Sequence, residues 1–167
     1  MKTGTRTTGA AIALLALAAA LTACADTVPL TPAQGANEVE CAAASVRLPN
    51  AIGEQTRRWT NAQATGAWGD PTAVTFTCGT DPVASDDKQC VRIGGVDWTV
   101  DESRSPQLTL ATFGRNPAAE VVVDTTVLSA DDVLDRLAVA AQQLPSTGQC
   151  TEADVREGAN ADEGSSS

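Results

Sequence analysis

The chain has 167 residues, a formal charge of −10 and no histidine. This length suits one small domain, and the missing histidine removes Ser-His-Asp and Cys-His nucleophiles, His-ligated zinc and imidazole acid–base chemistry. So acidic a field repels nucleic acid and anionic headgroups, which excludes a DNA-binding or polybasic membrane-binding role.

Lys2 and Arg6 precede an apolar run, Ala10–Leu21, that closes in Leu21-Thr22-Ala23-Cys24. A basic start, a short apolar stretch and small residues around a cysteine form the layout of a bacterial lipoprotein signal peptide. About twelve apolar residues are too few for a spanning helix, which needs roughly 20. The expectation is removal of residues 1–23 and acylation of Cys24, with palmitate among the chains. Two or three chains at ~0.8 kcal/mol per buried CH₂ make a stable anchor. That places a secreted lipoprotein on the extracytoplasmic face of the cell membrane. Lys2 and Arg6 leave with the leader and no acid does, so the formal charge deepens to −12.

Residues 24–36 read as the acylated N-terminus and a flexible tether, reaching no more than ~40 Å. Asn37 with Glu40 forms a capping box for a short helix to Ser45 that buries Val39, Ala42, Ala43 and Val46. Residues 50–71 carry mixed signals: Glu54–Thr60 fits a helix, whereas Gly66, Gly69 and Pro71 fit a loop. Val74, Phe76 and Cys78 alternate with Thr75 and Thr77 as a half-buried strand. After a polar loop, Val91 and Ile93, then Val96, Trp98 and Val100, make a hairpin about Gly94-Gly95. Leu108–Phe113 and Ala119–Asp124 are two further strands. Ser129 and Asp132 start a helix whose inner face is Val133, Leu134, Leu137, Ala141 and Leu144. Residues 151–167 form an acidic tail with almost nothing to bury, expected to be disordered.

The fold class is α+β, two-layer, over residues 37–150. A four- to five-stranded antiparallel sheet is covered on one face by the N-terminal and C-terminal helices. The other face, with Thr75, Thr77, Arg92, Asp97 and Thr99, is polar enough to stay wet.

Five cysteines leave four once Cys24 is acylated, and four thiols in an exported chain read as two disulfides with three connectivities. The pairing chosen is Cys78–Cys90 between two strands and Cys41–Cys150 between the domain's ends. A four-cysteine metal site lacks any Cys-x-x-Cys pair. With the thiols paired, catalysis would rest on carboxylates, hydroxyls, Lys88 or arginines. No enzyme activity and no cofactor are expected.

Ala67-Trp68-Gly69-Asp70-Pro71, then Thr77-Cys78-Gly79, Cys90, Gly95-Val96-Asp97-Trp98 and Phe113-Gly114-Arg115 carry a resemblance. Over roughly residues 41–124 the chain resembles the domain of unknown function numbered 3515, a family of small secreted or lipid-anchored actinobacterial proteins. The resemblance implies an envelope location and a common fold, and supplies no activity.

Asp70 and Asp97 with Trp68 and Trp98 have the residue types of a carbohydrate site, acids for proton transfer and indoles for stacking. Against that, Trp98 alternates inward with Val96 and Val100, and Asp70 before Pro71 suits a turn. Asp97 and Arg115 are candidates for a cross-strand ion pair. Asp81, Asp86 and Asp87 lack EF-hand spacing for calcium. Arg57-Arg58-Trp59 combines interface-anchor residue types and is the preferred contact patch for an acidic partner. The expected role is a non-catalytic binding module for an envelope protein or cell-wall component. The alternative is a carboxylate-dependent hydrolase of cell-wall glycan.

Overall fold

The computed structural model describes residues 27–83 and 89–151. The leader, Cys24, Asp86, Asp87 and the tail beyond residue 151 lie outside the described residues. Helix α1 spans Val39–Ser45, and strands β1 to β4 follow as Ala51–Ile52, Gln55–Arg58, Thr65–Trp68 and Val74–Thr80. Then come β5 (Cys90–Ile93), β6 (Val96–Arg104), β7 (Gln107–Thr112), β8 (Ala118–Asp124) and helix α2 (Ala130–Ala141).

The fold is α+β with one antiparallel sheet and two helices, but the sheet has eight strands, not four to five. Its order is β1-β2-β3-β4-β8-β7-β6-β5. The extra strands come from residues 50–71. Glu54–Thr60 is not helical, because β2 pairs Arg57 with Trp68 and Arg58 with Ala67 on β3. β3 is buried at all four positions and so lacks the alternation that marks a half-buried strand.

Two meanders, β1–β4 and β5–β8, join where β4 pairs with β8. The hairpin about Gly94-Gly95 forms as expected, with Ile93 opposite Val96. The surprise is the link over 81–89. It sends the chain to the far edge of the sheet, four strand spacings or ~19 Å away, within its extended reach of about 30 Å.

Phe76 on β4, Val121 on β8, Leu110 on β7 and Trp98 on β6 belong to one buried cluster with Leu134 and Leu137 of α2 and Cys41 and Ala44 of α1. Both helices therefore cover one face. α1 turns differently from the expectation: Val39 and Val46 are exposed, and Cys41 and Ala44 face inward. Its N-cap is Glu38, not Asn37. α2 keeps Ser129 at its N-cap, and neither cap makes a side-chain hydrogen bond.

The disulfides are Cys41–Cys78 and Cys90–Cys150, which corrects both predicted pairs. Cys78 shares the face of Val74 and Phe76, toward the helices, where α1 brings Cys41 to a Cα–Cα separation of 5.5 Å. Cys90 alternates with Val91 and Ile93, which pack on the core, so it points to the opposite face. Cys78 and Cys90 sit on different faces of strands that are not neighbours, and cannot meet.

Both terminal segments are docked straps. Gly35 N–H donates to Gly79 O at 2.9 Å, and a Cβ on Gly79 would lie 2.3 Å from the Gly35 carbonyl carbon. At the other end Gly148 lies against Gly114, where a Cβ would fall 2.2 Å from Gly148 O. The predicted tether is accordingly shortened, since Val28 and Ala36 are already buried in the domain.

The C-terminal strap also corrects the expectation of a wet outer face. Residues 145–150 return over that face, with Thr147 N–H donating to Gly114 O at 2.7 Å and Cys150 bonded to Cys90. Asp97 and Thr99 are buried as a result, while Thr75 and Thr77 are half-buried.

Candidate functional site

The sequence-chosen residues separate into two clusters. Arg57, Arg58, Trp59, Trp68 and Asp70 come together on β2, β3 and the turn that follows. Asp97 and Arg115 lie at the other end of the sheet.

In the first cluster Trp68 is fully buried, and its indole Nε1 donates to Pro49 O at 3.0 Å. It is core, not an open stacking platform for a sugar. The Arg57 guanidinium lies over its ring, Cζ to centroid 6.0 Å, and Nη1 donates to Leu48 O at 3.4 Å. Partial burial pulls Arg57 below the ordinary guanidinium value, yet it stays charged at any physiological pH. Arg58 Nη1 reaches Asp70 Oδ1 at 3.2 Å and Gly69 O at 3.3 Å. Asp70 is exposed, so this pair contributes only ~0–1 kcal/mol.

Trp59 is 83 % exposed, as a contact residue requires. With Asn50, Arg57, Arg58 and Thr60 it lines a groove of about 510 Å³. The backbone beneath is held by the N-terminal segment. Val28 N–H donates to Trp59 O at 2.8 Å, and Leu30 N–H to Asn61 Oδ1 at 2.8 Å. A cationic groove beside a solvent-facing indole can receive a carboxylate or phosphate with an apolar neighbour.

In the second cluster Asp97, only 7 % exposed, pairs with Arg92 and not with Arg115. Arg92 Nε and Nη2 donate to its two oxygens at 2.6 and 3.0 Å, and Cys150 N–H donates to Oδ2 at 2.9 Å. Burial alone would raise the Asp97 pKa. The bonds from Arg92 and Cys150, with the positive charges of Arg92 and Arg115, outweigh burial and hold it below the usual carboxylate value. Arg115 donates instead to Leu144 O, in the turn that follows the second helix. The Arg92–Asp97 pair was legible in principle: a two-residue turn at Gly94-Gly95 sets these residues opposite each other. The Cys150 contact had no local signal.

Asp70 follows β3 and Asp97 lies on β6, four positions apart in the sheet, and each carboxylate is ion-paired to its own arginine. The two do not form a catalytic carboxylate pair. Among the described residues no three His, Cys, Asp or Glu side chains converge as a metal site.

A depressed Asp97 pKa links stability to pH with a definite sign. The stabilisation is complete above the ordinary Asp value of about 3.9 and is lost as pH falls through the lower folded value. Asp97→Asn is expected to cost about 1–3 kcal/mol at pH 7. The gap from wild type should close as the pH is taken below about 4, read from urea midpoints across the acid range. Asp124, also lowered by hydrogen bonds from Thr126, titrates in both proteins and cancels. A gap that stays constant with pH would remove the ionised Asp97 from the acid limb.

Residues 7–148 match the family described as "Protein of unknown function (DUF3515)". No curated protein and no solved structure matches the chain.

Proposed function

The chain belongs to the DUF3515 family of proteins of unknown function, and from there we propose a lipid-anchored, extracytoplasmic envelope protein whose folded domain is a non-catalytic binding module. The observation that carries this reading is the basic–apolar–small order ending at Cys24, with the packed domain beginning only four residues later at Val28. Two internal disulfides support it, because such bonds persist in oxidising compartments outside the cytoplasm. The binding surface is the Arg57–Arg58–Trp59 groove, whose guanidinium groups suit an anionic partner in the envelope.

The test is the chemical state of Cys24. Wild type is expected to lack residues 1–23, carry diacylglycerol and fatty-acyl mass on Cys24, and partition into the detergent phase. Cys24→Ser should lose both the acyl mass and the cut before residue 24, so that the recovered protein keeps residues 1–23. An unmodified Cys24 in the protein isolated from its own membrane would overturn the anchor.

A further inference from the structure

We propose that the binding surface is occupied by the membrane itself: the domain lies on the bilayer with Trp59 seated among the headgroups and Arg57 beside the phosphates. The proposal rests on the acyl anchor at Cys24, and on where the chain leaves the domain.

Val28 is bonded on both sides of Trp59's neighbourhood. Its N–H donates to Trp59 O, its carbonyl accepts from Asn61 N–H, and it bridges Thr60 in parallel. From Val28 back to Cys24 the chain spans at most about 14 Å even when fully extended. A domain of this length is roughly 35 Å across. A leash shorter than half the domain's width does not let the domain turn this face away from the surface that holds it. An acylated Cys24 therefore dictates which residues look at the bilayer, and Trp59 is chief among them.

The residue types at that face agree. Tryptophan prefers the membrane–water interface, where its ring is half apolar and its N–H stays hydrated. Trp59 is 83 % exposed, and nothing else in the described domain explains so large an apolar side chain in water.

Charge orients the domain the same way. Residues 41–70 hold Arg47, Arg57 and Arg58 against Glu54 and Asp70, the latter paired with Arg58, in a chain that is otherwise strongly acidic. The exposed acids Asp131, Asp132 and Asp135 ride on the second helix. An anionic surface attracts the first set and repels the second. Too few cations are present to recruit the domain from solution, and none is needed for recruitment. A leash of a few residues keeps the face at an effective concentration on the order of millimolar or above, where a weak contact is enough.

Tryptophan fluorescence tests this directly. Trp68 and Trp98 are fully buried, so Trp59 is the indole that responds to the surroundings. The acylated full-length mature protein is placed in vesicles of phosphatidylethanolamine and phosphatidylglycerol and compared with the oxidised, unacylated chain of residues 25–167 in solution. On vesicles the emission is expected to move to shorter wavelength and acrylamide quenching to fall severalfold. Lipids brominated in their acyl chains should quench the same signal, and Trp59→Ala should abolish all three changes while leaving the fold intact. Arg57→Gln should weaken the protection, and so should vesicles of phosphatidylcholine alone. If the protein is acylated and floats with the vesicles but Trp59 stays as open to acrylamide as in solution, docking is wrong and the anchor stands. If the purified protein carries no acyl mass, the anchor fails and the docking with it. Protection that rises with protein concentration and without vesicles would assign the face to a second copy of the chain and overturn the proposal.

Discussion

Replacing Cys41 and Cys78 together by alanine is expected to lower the stability of the domain by about 4 kcal/mol. The bridge closes a 37-residue loop, and the chain-entropy relation for a loop of that length gives a figure of this size. For a domain of this size the melting temperature should fall by roughly 15–25 °C. The effect should exceed that of any surface change, because the bridge ties the first helix and the strap before it to the central strand β4. Non-reducing peptide mapping should recover Cys41 linked to Cys78 and Cys90 linked to Cys150. A melting temperature within a few degrees of wild type would mean the unfolded chain is already compact enough that the crosslink removes little freedom. Recovery of a Cys78–Cys90 peptide would contradict the strand order itself.

Trp68→Ala is the second large effect. Truncating a fully buried tryptophan costs about 3–5 kcal/mol through lost transfer energy and the cavity left behind. The change also frees the Pro49 carbonyl and removes the ring beneath Arg57. A value toward the upper end follows. Trp68→Phe keeps an aromatic face and loses the indole bond, so it should cost clearly less. Because Arg57 rests on this ring, the alanine variant should also disturb the surface around Trp59, seen as a change in its acrylamide quenching. Equal stabilities for the two variants would show that the ring's volume matters less than its N–H. No change at Trp59 would uncouple the groove from the core below it.

The candidate site was only half legible before the structure. Arg57-Arg58-Trp59 stands out as a local basic–aromatic triplet in an acidic chain, and composition alone singles it out. Trp68 and Asp70 lie about ten residues further on and join it through the β2–β3 pairing, which the sequence hides because β3 is buried on both faces. Arg92 could have been paired with Asp97 from turn chemistry alone. The strap that buries Asp97 could not, since a Pro/Ser/Thr/Gly stretch after a helix looks like any exit to solvent.

The elements with a strong local period were determined by the chain itself. These are the second helix, the Gly94-Gly95 hairpin and strands β4, β6, β7 and β8, where a single face must be buried and neighbours in sequence decide it. The number of cysteine pairs and the family resemblance were equally local. Strand order, disulfide partners and the exposure of Trp59 were decided only in three dimensions. Closing β8 onto β4 drives β5 to the far edge and parts Cys78 from Cys90. The docking of Val28 turns an apparent tether into the floor under Trp59. Each of these depends on contacts between residues far apart in the chain, and burying the shared face of two meanders and two helices selects among them where local propensity is silent.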